Sequence, residues 1–307
     1  LFSCNDFLDV TPTTSTESSV TIQTVADAKV MTNGLIRILG NSNYYGRNFM
    51  LYGDAKGGDL TIISQGRGLD ALYVYNHSAA NNSFSGFWST GYNALLQANN
   101  IIKSINALEG TSNYETSNPY KGQALTMRAL IHFDLVRLYG KTYTDDPNSH
   151  GIPIVTDMVD ASEQRLRDKV SDVYTQIVKD LKDAESLLPK TKTNGYINYY
   201  ANKAIQARVY LTMGDYTNAL AAAEEVIGAS SLYSLYSNEE WIGSWASQYG
   251  KESLFEITIA KDQGDLGSGS LGFYYLKSRD NNALGNFTAS DYYLNILNQD
   301  STDVRCG

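Results

Sequence analysis

Cysteine is nearly absent. The 307 residues hold two, Cys4 and Cys306, at opposite ends of the chain, which excludes both a disulfide framework and a cysteine metal cluster. Long apolar runs are missing as well: no segment approaches the roughly 18–20 consecutive apolar residues of a membrane helix. Basic side chains are in short supply, 24 against 33 acidic, for a net charge of −9. A chain so charged has no cationic face to spare for phosphates, which argues against nucleic acid as a partner. Histidine is scarce too, and His77, His132 and His150 lack zinc-type spacing. His132 falls inside the apolar run ALIHFDL, where a packed imidazole is the better reading than a ligand.

Catalytic and cofactor motifs are equally thin. Gly267, Gly269 and Gly272 meet the dinucleotide glycine pattern, but no βαβ unit frames them, so the stretch reads as a loop. Gly140-Lys141-Thr142 ends like a phosphate-binding loop, yet the earlier glycine it requires is Leu135. No serine sits in a G-x-S-x-G elbow, and the carboxylates are too dispersed to reveal a glycosidase pair. Asp145, Asp146, Asn148 and Asp157 cluster around one loop, but without the EF-hand pattern a solvated turn outweighs calcium. No catalytic residue, metal site or cofactor is expected.

What the chain does have is a 42% apolar content, enough for a sizeable core, and 23 tyrosines against 9 phenylalanines. Tyrosine joins an apolar ring to a polar tip, which suits flat, wet recognition surfaces such as those that bind sugars, and equally suits helix interfaces. Residues 1–23, with their threonine- and serine-rich run, read as an extended tether. Apolar spacing predicts helices over 24–39, 87–108, 120–138, 170–188, 199–213 and 216–228. Residues 40–85 break this rhythm and read as a long irregular stretch, a kind that is often functional. Within ANKAIQARVYLTMGDYTNALAAAEEVI, small residues (Ala207, Ala219, Ala223) and Tyr210 flank a Gly214-Asp215 turn. That is most of a tetratricopeptide repeat, with Ser231 where a proline is expected. The fold expected is therefore mainly α: a tetratricopeptide-like helical-repeat scaffold (α-solenoid) with long loops and a little β. Residues 253–260 alternate like a strand, and a short helix is expected over 291–297.

Several stretches taken in order, CNDFLDVTP, YNALLQANNIIKSI, QALTMRALIHFDLVRLYGKTY, GIPIV and the repeat just quoted, resemble the SusD/RagB family of outer-membrane nutrient-binding lipoproteins of Bacteroidetes. The terminal DSTDVR is similar to that family's acidic-arginine segment. The resemblance implies that Cys4, behind Leu1-Phe2-Ser3, is the lipidated residue of a cell-surface protein held in the outer membrane by its acyl chains alone. Each buried CH₂ of such a chain contributes about 0.8 kcal/mol. It implies residues 24–260 as the helical-repeat domain with its 40–85 loop, and 261–307 as the start of an irregular ligand-side region. It also implies capture of an oligosaccharide or polysaccharide, without enzymatic chemistry, for import through a SusC-like TonB-dependent transporter.

The family's binding positions vary, so regions rather than residues carry over. LYVYNHSAANN offers Tyr73, Tyr75, Asn76 and Asn82, and FYYLKSRDNN offers Tyr274, Tyr275, Arg279 and Asn281. For Trp241 and Trp245, four apart, core packing is favoured over ligand contact, and Trp88 reads as structural. The alternative function is a tetratricopeptide-type scaffold for peptides or proteins.

Overall fold

The computed structural model describes residues 22–63, 69–76, 78, 86–160, 162–259, 269–276 and 283–306. Six helices form the scaffold or its approach: α1 (Val25–Leu39), α4 (Gly86–Asn106), α5 (Ser112–Tyr139), α6 (Val170–Glu185), α7 (Tyr199–Met213) and α8 (Tyr216–Ile227). Shorter pieces decorate it: α2 (Asn48–Gly57), α3 (Leu69–Tyr73), α9 (Asn238–Ser244), α10 (Gly272–Tyr275) and α11 (Asp291–Leu297). Strands β1 (Leu60–Ile62) and β2 (Phe287–Ala289) pair antiparallel, Leu60 opposite Ala289. The chain is thus mainly helical, as its periodicity predicts.

Each scaffold helix begins and packs for legible reasons. Thr24 caps α1: its hydroxyl accepts the Asp27 N–H at 3.2 Å while the Asp27 carboxylate accepts the Thr24 N–H at 2.9 Å. Ala28, Thr32, Leu35 and Leu39 then recur on one face and are buried. Helix α5 is the hub, packed against α1, α4, α6 and α7, and every residue from Gly122 to Val136 is buried. Gly214, at φ 77°, turns the chain between α7 and α8, a conformation glycine adopts without the penalty a Cβ brings. Ala219 and Ala222 let the two helices approach, while Tyr216, Leu220 and Ile227 leave an apolar stripe on the outside of α8.

Two buried polar networks lock the hub. Arg128 on α5 grips Asp180 on α6 through Nε at 2.8 Å and a second guanidinium nitrogen at 2.6 Å. It also donates to Asn99 of α4 at 2.9 Å and to the Thr156 carbonyl at 3.1 Å. Asn99, on the otherwise apolar stripe of its helix, donates in turn to the Val155 and Asp157 carbonyls, so one cluster ties three helices to the 151–168 connection. In the second network, Asp134 accepts the hydroxyls of Tyr44 and Tyr45 and the guanidinium of Arg137. Burial pushes both carboxyls up in pKa, and the hydrogen-bonded partners oppose that rise. His132 is fully buried and accepts the Val155 N–H on Nε2 at 3.2 Å, so it is a neutral core imidazole. Trp88 packs against Tyr92 and Tyr139, both at 4.8 Å, in keeping with a structural role.

Three expectations are corrected. Helix α5 starts at Ser112, not at Tyr120, and carries Pro119 within it. A proline costs a helix one backbone bond, which the long packed stretch downstream outweighs. Helix α6 ends at Glu185, short of Leu188. The alternating 253–260 stretch forms no strand in its described residues; Leu254, Phe255 and Ile257 lie against the main core without a pairing partner. The sheet instead joins β1, in a stretch read as irregular, to β2, 227 positions further on.

Candidate functional site

A second, smaller hydrophobic cluster sits apart from the main core. Leu51 and Ala55 of α2, Leu69 and Leu72 of α3, Tyr274 of α10 and Phe287 of β2 are its buried members. It draws on residues from both sides of the 260/261 division and closes through backbone bonds. Leu284 and Asn286 donate to the Phe273 and Tyr274 carbonyls at 2.7 Å, and Ser290 donates to Asp59 at 2.9 Å. The two stretches expected to supply binding residues, over 200 positions apart, therefore meet on one module around α2.

Their residues take different places there. Tyr274 is a core residue, 5% exposed, with the Arg47 guanidinium 5.3 Å from its ring centroid, so its face is not open to a ligand. Tyr275 is half-buried, stacked on Phe287 at 5.1 Å, and its hydroxyl donates to Asp54 of α2. Burial, and then the Asp54 carboxylate, push its phenol well above the usual range. Tyr73 and Asn76 are exposed. Asn82, Arg279, Asn281 and Cys4 lie outside the described residues.

Tyr75 is different. It is 66% exposed, yet fixed. Helix α3 ends in a reciprocal pair of bonds: the Asn76 N–H reaches the Ala71 carbonyl at 2.8 Å, and the Tyr75 N–H reaches Leu72 at 3.0 Å. This closure demands a left-handed residue in the position where glycine is the usual choice, and Tyr75 occupies it at φ 56°. The strain is held from two sides. The Tyr75 hydroxyl donates to the Lys56 carbonyl at the end of α2, and the Lys56 ammonium lies 5.2 Å from its ring centroid. The same ammonium lies 4.8 Å from the Tyr52 ring centroid and donates to the Tyr52 hydroxyl at 3.2 Å. A bulky residue kept in a costly conformation, with its ring in solvent, is an outlier that points to function. The arrangement offers a preorganised aromatic face bordered by a cation and an amide, suited to the apolar face of a pyranose and its hydroxyls.

Tyr52, Asp54 and Lys56 were not singled out in the sequence. Their signal was present in YGDAKGG, where alternate polar residues precede a glycine pair, and Gly58 at φ 85° does end α2 there. Trp241 and Trp245 are a further correction. Neither joins a core cluster; the rings meet edge to face at 5.5 Å, and Trp245 is 77% exposed. Among the described residues no group of three or more histidine, cysteine or carboxylate side chains is placed to hold a metal, and Asp146 and Asp157 pair instead with Lys141 and Arg165.

A family model described as starch-binding and associating with the outer membrane matches residues 6–211, two thirds of the chain. The chain belongs to the SusD-like family. A SusD-like protein of Formosa agariphila, P2, is 28% identical over 91% of this chain and 54% of its own length. A crystal structure of a SusD superfamily protein from Bacteroides thetaiotaomicron superposes with a TM-score of 0.84 at 36% identity, covering 92% of this chain and 63% of that one. A laminarin-binding SusD-like protein shares the fold, with a TM-score of 0.76 at 19% identity over 91% of this chain and 65% of its own. This SusD-like chain therefore spans between half and two thirds of the length of these relatives. None of its described helices is long and apolar enough to cross a membrane.

Proposed function

We propose that the protein captures an oligosaccharide or polysaccharide at the cell surface, with Tyr75 as the principal stacking face and Tyr73, Asn76 and Lys56 at its border. The observation that carries this is the strained, tethered and exposed Tyr75 ring. The family's description as starch-binding and the laminarin-binding neighbour support a glycan as ligand. Tyr275 positions the module through Asp54, and Asn82, Arg279 and Asn281 remain proposed contributors. The protein carries out no chemistry on the glycan; it raises its local concentration and passes it to a TonB-dependent transporter. Cys4 carries the lipid anchor, a reading supported by the Leu-Phe-Ser-Cys sequence and the polar run behind it. Affinity electrophoresis of the protein through plant, host and microbial polysaccharides tests the proposal. Retardation by one glycan class, weakened in Tyr75→Ala, is the expected result, and migration unchanged by every glycan would defeat it. A second reading, a peptide-binding scaffold, is favoured by the apolar stripe of Tyr216, Leu220 and Ile227. Preference for peptides over sugars in the same titrations would support it.

A further inference from the structure

Two features remain outside that reading: the tryptophan pair of α9 and the acidic-arginine segment near residue 300. The structure puts them together. Asn238 and Trp241 form one wall of a concavity of about 380 Å³, and Asp300, Thr302, Asp303, Val304 and Arg305 form the other. Trp241 is half-buried there, steadied by the edge of the exposed Trp245. Helix α9 is itself fixed, since Glu240 accepts the Ser237 N–H at 2.9 Å and the Lys251 ammonium at 2.6 Å. Opposite, the Asp303 carboxylate accepts the Arg305 Nε–H at 2.8 Å, and Asp300 accepts the Thr302 hydroxyl at 2.6 Å. A larger hollow along α8, about 490 Å³, is lined by one tyrosine, two glutamates and small residues, and lacks this pairing of indole with both charge signs.

We infer that the α9 concavity is a second saccharide subsite, for a neutral pyranose. An indole supplies an apolar plane with the Asn238 amide beside it, while carboxylate, hydroxyl and guanidinium groups on the facing wall can accept from and donate to ring hydroxyls. The selectivity follows from charge. Two carboxylates line the hollow, the one guanidinium is already engaged by Asp303, and the chain carries −9, so a uronic acid would meet repulsion. This subsite shares no lining residue with the Tyr75 surface, and the pair would hold one long glycan at two points or two separate chains.

The test uses the scarcity of tryptophan. The chain has three, and none belongs to the Tyr75 surface, so Trp88→Phe with Trp245→Phe leaves Trp241 as the sole reporter. Acrylamide quenching is measured with maltohexaose, cellohexaose, laminarihexaose, xylohexaose and a galacturonic acid hexamer, with calorimetry in parallel. At least one neutral hexasaccharide should lower the quenching slope about twofold, as expected for a ring covered by a well-buried ligand. That protection should persist in Tyr75→Gly, and Trp241→Ala in the parent should weaken binding of the same sugar about tenfold. Calorimetric binding with unchanged quenching would overturn the second subsite and leave the Tyr75 reading standing. Protection by the galacturonic acid hexamer alone would also overturn it. Neither heat nor protection with any sugar would overturn both.

Discussion

Replacing Tyr75 by glycine separates strain from recognition. A non-glycine residue in the left-handed region costs about 1–2 kcal/mol, which Tyr75→Gly removes. The same change loses the hydroxyl bond to the Lys56 carbonyl, about 1 kcal/mol, and an exposed cation–ring contact of about 0.5–1 kcal/mol. These offset each other, so stability should stay within about 1 kcal/mol of the parent, a shift of at most a few degrees in Tm. Tyr75→Ala keeps the strain and loses both contacts, and should fall about 1.5–2 kcal/mol below the parent. Glycan affinity should drop about tenfold or more in both variants, because both lose the stacking face. Tyr75→Phe keeps the ring and should bind within a few-fold of the parent. Scanning calorimetry reads the stabilities and affinity electrophoresis the binding. Equal destabilisation of the glycine and alanine variants would refute the strain argument, and full retardation of Tyr75→Gly would refute the role of the ring.

Acidification should weaken the fold through His132, whose pKa burial and then the Arg128 charge push from 6.5 down to about 3. A depressed histidine contributes stability above its unfolded pKa that is lost as pH falls toward the folded value, so Tm should decline below pH 6.5 and His132→Gln should flatten that slope. Asp134 and Asp180, raised by burial, act in the opposite sense, so the parent and His132→Gln, which share both carboxyls, are compared at each pH. Arg128→Met strands Asp180 in the core and should cost about 3–5 kcal/mol in denaturant unfolding, whereas Arg128→Met with Asp180→Leu should recover much of it; no recovery would mean the pair is not the source. In hydrogen exchange, the Ile63, Leu284 and Asn286 amides of the small module should exchange faster than the amides of α5, and equal protection would contradict the two-cluster reading.

The scaffold was legible because its helices obey one rule over many residues. The α1 stripe, the α7–α8 turn and the helix at Asp291–Leu297 follow from spacing and caps. Where the rule is weak the reading failed. The 253–260 segment has strand alternation, but alternation identifies a buried face and cannot supply a pairing partner. The β1–β2 pair is three residues long on each side, and its register is set by contacts across the sequence that no local pattern records. At the candidate site, tyrosine identity was visible and its consequence was not. Tyr274 and Tyr275 are neighbours of one kind, yet one is core and the other a tethered stack, because the short α10 turn points them in different directions. The left-handed Tyr75 leaves one faint trace, a helix end with tyrosine where glycine would be expected. The Trp241–Trp245 spacing indicates a shared helical face and leaves open whether that face meets core or solvent.

The distribution of stability explains why the proposed recognition surface is built where it is. Strain at Tyr75 costs a sizeable fraction of what a small module can supply, and among the described residues the module has six buried hydrophobic members of its own. It persists because α2 is also anchored toward the scaffold: Asn48 is buried at its start, and the Tyr44–Tyr45–Phe49–Phe87 aromatic cluster joins that end to the main core. The polar networks at Arg128 and Asp134 contribute rigidity to that core. A rigid base with a marginal, locally strained cap can alter its cap sequence without unfolding, since most of the folding energy lies elsewhere. That arrangement would let one helical scaffold carry different surfaces, and it accounts for a proposed binding face whose residues follow no fixed spacing while the helices beneath them do.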